Sequence, residues 1–228
     1  RKFAEAIELY VTLFPNAPEL PAILFRQGRA YYDSGIYDPA VRLFGMILER
    51  YPRNPFAQSA GELILDSFNR ARDYANIEQW ARRLLRAPAF QSAASQQRLG
   101  TLVIQSIFRN GEQNARAGRH ADAARLYVRA ADEFPRYARA PQALFNAGSE
   151  WQRAGSPEEA GRAFRRIIDS YRSAPEAPRA AWTAAQSYEE IAQFEDAAAF
   201  YEALADNFRH DAKAPDALYN ATLLRLTL

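Results

Sequence analysis

The chain has 228 residues, of which 48% are hydrophobic, 13% aromatic and 25% charged, with a formal net charge of +2. That balance suits a solvated surface around a sizeable core and is too near neutral to indicate a nucleic-acid protein. Cysteine is absent, which excludes disulfides, thiolate metal sites and thiol nucleophiles, and no run approaches the 18 or so apolar residues of a membrane span. Lysine occurs only at Lys2 and Lys213 while arginine and alanine abound, which reads as the bias of a GC-rich genome rather than a functional demand for guanidinium groups. Residues 1–49 carry 5 basic and 6 acidic side chains, residues 50–140 carry 15 and 8, and residues 141–228 carry 9 and 13. The middle of the chain is therefore basic and its last part acidic.

In chain order, residues 1–14 (Lys2 to Phe14) read as a second helix whose partner lies upstream, ended by Pro15, Pro18 and Pro21. Residues 21–52 form a helical hairpin. Counting Pro21 as position 1, Leu24, Gly28 and Tyr31 fall on one helical face and Ala40, Phe44 and Ile47 on a second, with Gly35 at the turn, Asp38 placed to cap and Pro52 closing the unit. Residues 58–88 repeat this frame poorly: Gly61 replaces the large residue at position 4, Leu65 the glycine at 8 and Arg72 the turn glycine, with Trp80 offered as compensation. Residues 89–103 are an insertion, read either as a backward extension of the next helix to about Gln91 or as a loop broken at Gly100. Residues 104–135, 141–172 and 178–209 restore the frame, the last two at a step of 37 residues from Pro141 to Pro178. Ser156 followed by Pro157 reads as a cap. Residues 215–228 are the first helix of a further copy, so the chain is expected to be a piece of a longer protein.

Small at 8, aromatic at 11, glycine at 15, alanine at 20, aromatic at 24 and proline at 32 resembles the tetratricopeptide repeat over nearly the whole chain. The resemblance implies an all-α, right-handed α-solenoid of antiparallel hairpins and a function in binding protein or peptide partners. The 37-residue period is similar to that of bacterial envelope proteins, such as the outer-membrane lipoprotein of the barrel-assembly machinery and the Tol-Pal-associated coordinator of cell division. It implies a periplasmic or outer-membrane-associated assembly role, with a cytoplasmic adaptor or the regulatory arm of a larger enzyme as alternatives.

Position 5 reads Phe25, Glu62, Phe108, Phe145, Trp182 and Tyr219. The family resemblance places that stripe on the concave groove, where the aromatics would anchor a partner. Arg29, Tyr32, Asp66, Arg70, Glu112, Arg116, Ser149, Gln152, Arg153, Gln186 and Glu189 would flank them. The competing reading makes position 5 inter-repeat core. The family's carboxylate clamp needs Lys and Asn where this chain has aromatics, which argues against that activity. No nucleophile with its base, metal-ligand spacing or phosphate loop is present, and His120 and His210 read as surface residues. The chain is therefore expected to be non-catalytic, without cofactor, metal or nucleic-acid partner.

Overall fold

A computed structural model describes residues 9, 10, 13, 14 and 17–227. Most of the helix expected at residues 1–14 lies outside these described residues. Among the described residues there are helices and no strands: α1 (Leu20–Asp33), α2 (Tyr37–Arg50), α3 (Phe56–Arg70), α4 (Tyr74–Leu84), a 3-10 turn (Pro88–Phe90), α5 (Ala93–Arg116), α6 (His120–Glu133), α7 (Ala140–Arg153), α8 (Pro157–Ser170), α9 (Glu176–Glu190), α10 (Phe194–Asn207) and α11 (Ala214–Thr227). The chain divides into two compact units, the first ending at Ser106 and the second beginning at Ile107, a boundary that falls inside α5.

Three of the hairpins close by one device. A glycine at position 8 of the first helix lies under the position-24 ring of the second. A Cβ on Gly28 would come within 2.7 Å of Phe44, one on Gly111 within 2.9 Å of Tyr127 and one on Gly148 within 2.5 Å of Phe164. The rings thus occupy the space that any larger residue would need, which is why the small residue recurs there. Phe44, Phe164 and Tyr201 are fully buried, each at 1% exposure or less.

Position 15 takes the left-handed conformation in the five hairpin turns of the described residues. Gly35, Gly118 and Gly155 have φ of 70° to 74°, and Arg72 and Ala192 stand in the same place with φ of 53° and 58°. Helix starts differ from expectation. α2 begins at Tyr37, so Asp38 lies inside the first turn, where it complements the helix dipole without a side-chain cap bond. Ser156 occupies the N-cap of α8 but makes no such bond either. At α4 a side-chain cap does form: Asp73 Oδ1 accepts from the Asn76 amide at 3.1 Å.

The divergent hairpin is repaired from the insertion. Gly61 leaves a hole in α3, and a Cβ there would lie 2.7 Å from the Phe90 ring and 2.8 Å from Leu84. Phe90 is fully buried, a burial that contributes roughly 1.5–3 kcal/mol. Trp80 packs elsewhere: it covers Gly45 of α2, with the Arg83 guanidinium 4.7 Å from its ring centre. Phe90 rather than Trp80 therefore compensates for the missing side chain at position 4. α5 then runs continuously through Gly100, whose Cβ position faces open space. Ser92 caps it by accepting from the Ser95 amide at 3.2 Å, while Gln96 donates to the Leu85 and Phe90 carbonyls at 2.9 and 2.8 Å.

Candidate partner-binding groove

In unit 1, the divergent hairpin and the start of α5 enclose an open groove of about 740 Å³. α3 supplies Glu62, Leu65, Asp66 and Asn69, α4 supplies Ile77, and α5 supplies Ala94, Gln97, Arg98, Leu99, Thr101, Leu102 and Gln105. The groove follows from the sequence departures. Leu65 replaces the glycine of other hairpins, and the nine residues inserted between the copies at Gln58 and Ile104 let α5 start early enough to form the second wall. Ile77 and Leu99 are buried, and with Leu65 and Leu102 they make an apolar floor. Polar side chains surround it. Arg98 donates to Glu62 at 2.8 Å from the opposite wall.

Beside the groove, four of the expected flanking residues meet. Tyr32 donates to Asp66, Arg70 Nε lies 2.7 Å from the same carboxylate and 3.1 Å from the Tyr32 hydroxyl, and the Arg29 and Arg70 guanidiniums both lie over the Tyr32 ring. The Tyr32 hydroxyl holds the Asp66 carboxyl below the usual carboxylate range, with Arg70 adding to the effect. Arg29 also pairs with Asp33 at 2.8 Å. This cluster ties α1 to α3 at the edge of the groove.

Position 5 behaves differently from a continuous open ladder. Phe25, Phe108, Phe145 and Trp182 pack against the position-24 rings of their own hairpins, with centroids 5.7, 5.9, 5.6 and 5.3 Å from Phe44, Tyr127, Phe164 and Tyr201. A residue near the start of the following first helix then covers each ring. Phe56 stacks on Phe25 at 4.8 Å, Arg139 lies 4.7 Å from Phe108, Arg179 4.7 Å from Phe145, and Lys213 4.4 Å from Trp182. Phe108 is only 3% exposed. It belongs to the hairpin core and lines no groove, because Tyr127, Tyr137 and Arg139 enclose it. Phe25, Phe145 and Trp182 are half-buried, and Tyr219 is exposed. Glu62 is the position-5 residue that reaches the unit-1 groove.

The remaining flanking residues do not converge on one place. Glu112 pairs with Arg109 at 3.1 Å, while Arg116 is exposed on α5. Gln152 donates to Ser187, joining α7 to α9. Arg153 pairs with Glu150 at 2.8 Å, and Glu189 accepts from Tyr201 at 2.9 Å. Ser149 is half-buried and Gln186 exposed. His120 is not the isolated surface residue expected: its Nδ1 lies 2.7 Å from Glu150 Oε2, a buried carboxylate that Arg153 also approaches. Periodicity could not reveal this pair, since it joins α6 to α7 across a hairpin boundary. Among the described residues, no group of three or more His, Cys, Asp or Glu is placed to hold a metal, and no helix is long and apolar enough to cross a membrane.

Residues 22–54 match the family model of the tetratricopeptide repeat. The match covers the hairpin whose glycine, aromatic and turn positions follow the tetratricopeptide frame most closely. No curated protein gives a significant match. Among solved structures, the chain is similar to MamA, with a TM-score of 0.40 and 16% identity over 82% of this chain and 96% of that one. It is also similar to the TPR domain of P58(IPK), at a TM-score of 0.39 and 16% identity, covering 91% of this chain and 56% of that one. TTC0263, a thermophilic TPR protein in Thermus thermophilus, aligns at a TM-score of 0.35 and 17% identity over 89% of this chain and 99% of that one.

Proposed function

We propose that the protein is a non-catalytic interaction scaffold that receives a segment of a partner protein in the unit-1 groove. The observation that carries this is the apolar floor formed by Leu65, Ile77, Leu99 and Leu102 under a rim of mixed polar side chains. An amphipathic helix fits such a surface, because its apolar anchors replace water on the floor while its polar face meets Asn69, Gln97 and Gln105. The Glu62–Arg98 pair spans two walls and is half exposed on both sides, so it contributes little to stability and can re-pair with charges on the incoming segment. The position-5 aromatics outside this groove keep their hairpins packed; the edges of the half-buried Phe25, Phe145 and Trp182, and the exposed Tyr219, remain available as secondary contacts.

The setting we propose is a bacterial cell-envelope assembly, in the periplasm or at the outer membrane, on the strength of the 37-residue step alone. A photo-crosslinking residue at Thr101, on the exposed wall of the groove, tests both proposals in the full-length protein in its own cells. One discrete crosslinked partner is expected, lost when Leu65→Glu is added and drawn from the envelope fraction. Crosslinking that ignores Leu65→Glu would remove the groove from the function. A cytosolic partner would remove the envelope setting and leave the groove.

A further inference from the structure

Nine of the ten glycines in the chain have a local cause. Three hold left-handed turns, and at six others a Cβ would meet a neighbouring side chain at 3.3 Å or closer. Gly100 is the exception. It lies inside α5 with a helical backbone, and a Cβ built there has nothing within 4 Å. Alanine would fit without contact and would favour the helix more, since glycine in a helix interior is destabilising. Packing therefore gives no reason for the glycine.

Its place in the groove wall supplies one. Gly100 divides the α5 wall in two: Ala94, Gln97 and Arg98 precede it, and Thr101, Leu102 and Gln105 follow. The first half is tied to the preceding hairpin, by Gln96 to the Leu85 and Phe90 carbonyls at 2.9 and 2.8 Å and by Arg98 to Glu62 at 2.8 Å. The second half carries no such tie among the described residues: Thr101 and Gln105 are exposed and Leu102 is half-buried. At its far end the Ser106 hydroxyl donates to the Leu102 carbonyl at 2.7 Å, a back-bond that slightly destabilises helices and often bends them. At about 100° per residue, Gly100 lies roughly 130° round α5 from the mean direction of the six wall side chains. A bend that carries the second half away from α3 therefore folds toward the empty side, where no side chain stands in the way.

We propose that Gly100 is a flexure in the groove wall, about which Thr101, Leu102 and Gln105 move away from α3 to admit the partner segment. This rests on the unit-1 groove as the partner site and adds how that site opens. Hinges are a few positions that absorb a change of backbone angle, often small residues, and glycine is a recurrent place for helices to bend. The tied first half keeps Arg98 in place while the second half sets the width. The helix stability forgone at Gly100 is what lets this wall yield.

The absence of cysteine allows pairs of nitroxide labels on the purified protein, read as distance distributions by double electron–electron resonance. Asn69→Cys with Gln105→Cys joins α3 to the second half of the wall, and Gln58→Cys with Gln97→Cys joins it to the first; all four positions are exposed. The Asn69–Gln105 distribution is expected to be the broader, and Gly100→Ala to narrow it to the width of the other pair, which stays unchanged. The same substitution is expected to raise the urea midpoint. In the full-length protein it is expected to lower crosslinking at Thr101 about fivefold, because a stiffer wall leaves less of the protein competent to bind. An Asn69–Gln105 distribution of unchanged width in the Gly100→Ala variant would overturn the flexure, as would a lowered midpoint, which would mean that Gly100 has a packing role. Narrowing without loss of crosslinking would overturn its part in admitting the partner and leave the groove. Failure of the native protein to crosslink at Thr101 would remove the groove, and its opening with it, whatever the distances show.

Discussion

Arg72 and Ala192 hold a left-handed backbone conformation that three of the five hairpin turns give to glycine. For a residue with a Cβ that conformation costs about 1–2 kcal/mol, partly offset by the lower unfolded-state entropy of a non-glycine. Ala192→Gly is therefore expected to raise the stability of unit 2 by about 0.5–1 kcal/mol, measured as an increase in the urea midpoint without a change in slope. A decrease would mean that Ala192 makes a contact worth more than its strain. Two buried tyrosines give a second outcome at this scale. Burial pushes Tyr127 up to about 12, with the Glu112 and Glu150 charges adding to it, and burial together with the Glu189 hydrogen bond does the same for Tyr201, from an ordinary value of 10.0. A raised folded-state value for an acid means that the unfolded chain ionises first. The stabilisation is present in full below pH 10 and is lost as pH rises toward 12. Chemical denaturation between those limits is expected to show falling stability, and Tyr127→Phe to flatten the fall; an alkaline limb of unchanged steepness in that variant would refute the assignment.

At the scale of the element, the second hairpin shows how a gap in a repeat frame is filled from outside it. Phe90, in the turn before α5, stands where a large position-4 side chain would lie. Phe90→Ala is expected to cost about 3–5 kcal/mol. Adding Gly61→Leu to that variant is expected to restore part of the loss, whereas Gly61→Leu alone destabilises, because the leucine and the ring compete for one space. Additive effects in this double-mutant cycle would show that the two positions do not share a site. The sequence revealed the defect and not its remedy. Gly61, Leu65 and Arg72 depart from the repeat frame at known positions, but Phe90 lies in an insertion without a frame of its own. The covers over the position-5 rings were hidden for a similar reason. Phe56, Arg139, Arg179 and Lys213 differ in chemistry, and what they share is a place near the start of a helix, which hydrophobic periodicity does not register. The all-helical hairpins were legible because glycine, alanine and aromatic residues recur at fixed helical steps, and each step has a steric cause.

At the scale of the whole molecule, stability in a repeat protein is a sum of hairpin terms and nearest-neighbour terms, so protection from exchange need not be uniform along the chain. α11 buries only small side chains, Ala214, Ala217 and Ala221, and leaves Leu218, Tyr219, Leu223 and Leu226 exposed. Its amides are expected to exchange with deuterium before those of α8, where Phe164, Ile167 and Ile168 are buried. Equal protection of the two helices would show that unit 2 opens in a single step. The charge imbalance along the sequence also becomes specific at this scale. Much of the arginine in residues 50–140 is engaged locally, as in Arg70–Asp66, Arg83–Glu49, Arg98–Glu62 and Arg125–Asp122.

The three tryptophans occupy three different hairpins, and each lies beneath a cation: Trp80 under Arg83, Trp151 under Arg125 and Trp182 under Lys213. Replacing any two of them with phenylalanine would leave emission from a single hairpin, with Trp80 the sole donor in unit 1. Since the chain contains no cysteine, a single thiol introduced anywhere would carry an acceptor dye at one defined place. Distances within this molecule can thus be measured in solution starting from the native background, without first removing any reactive side chain.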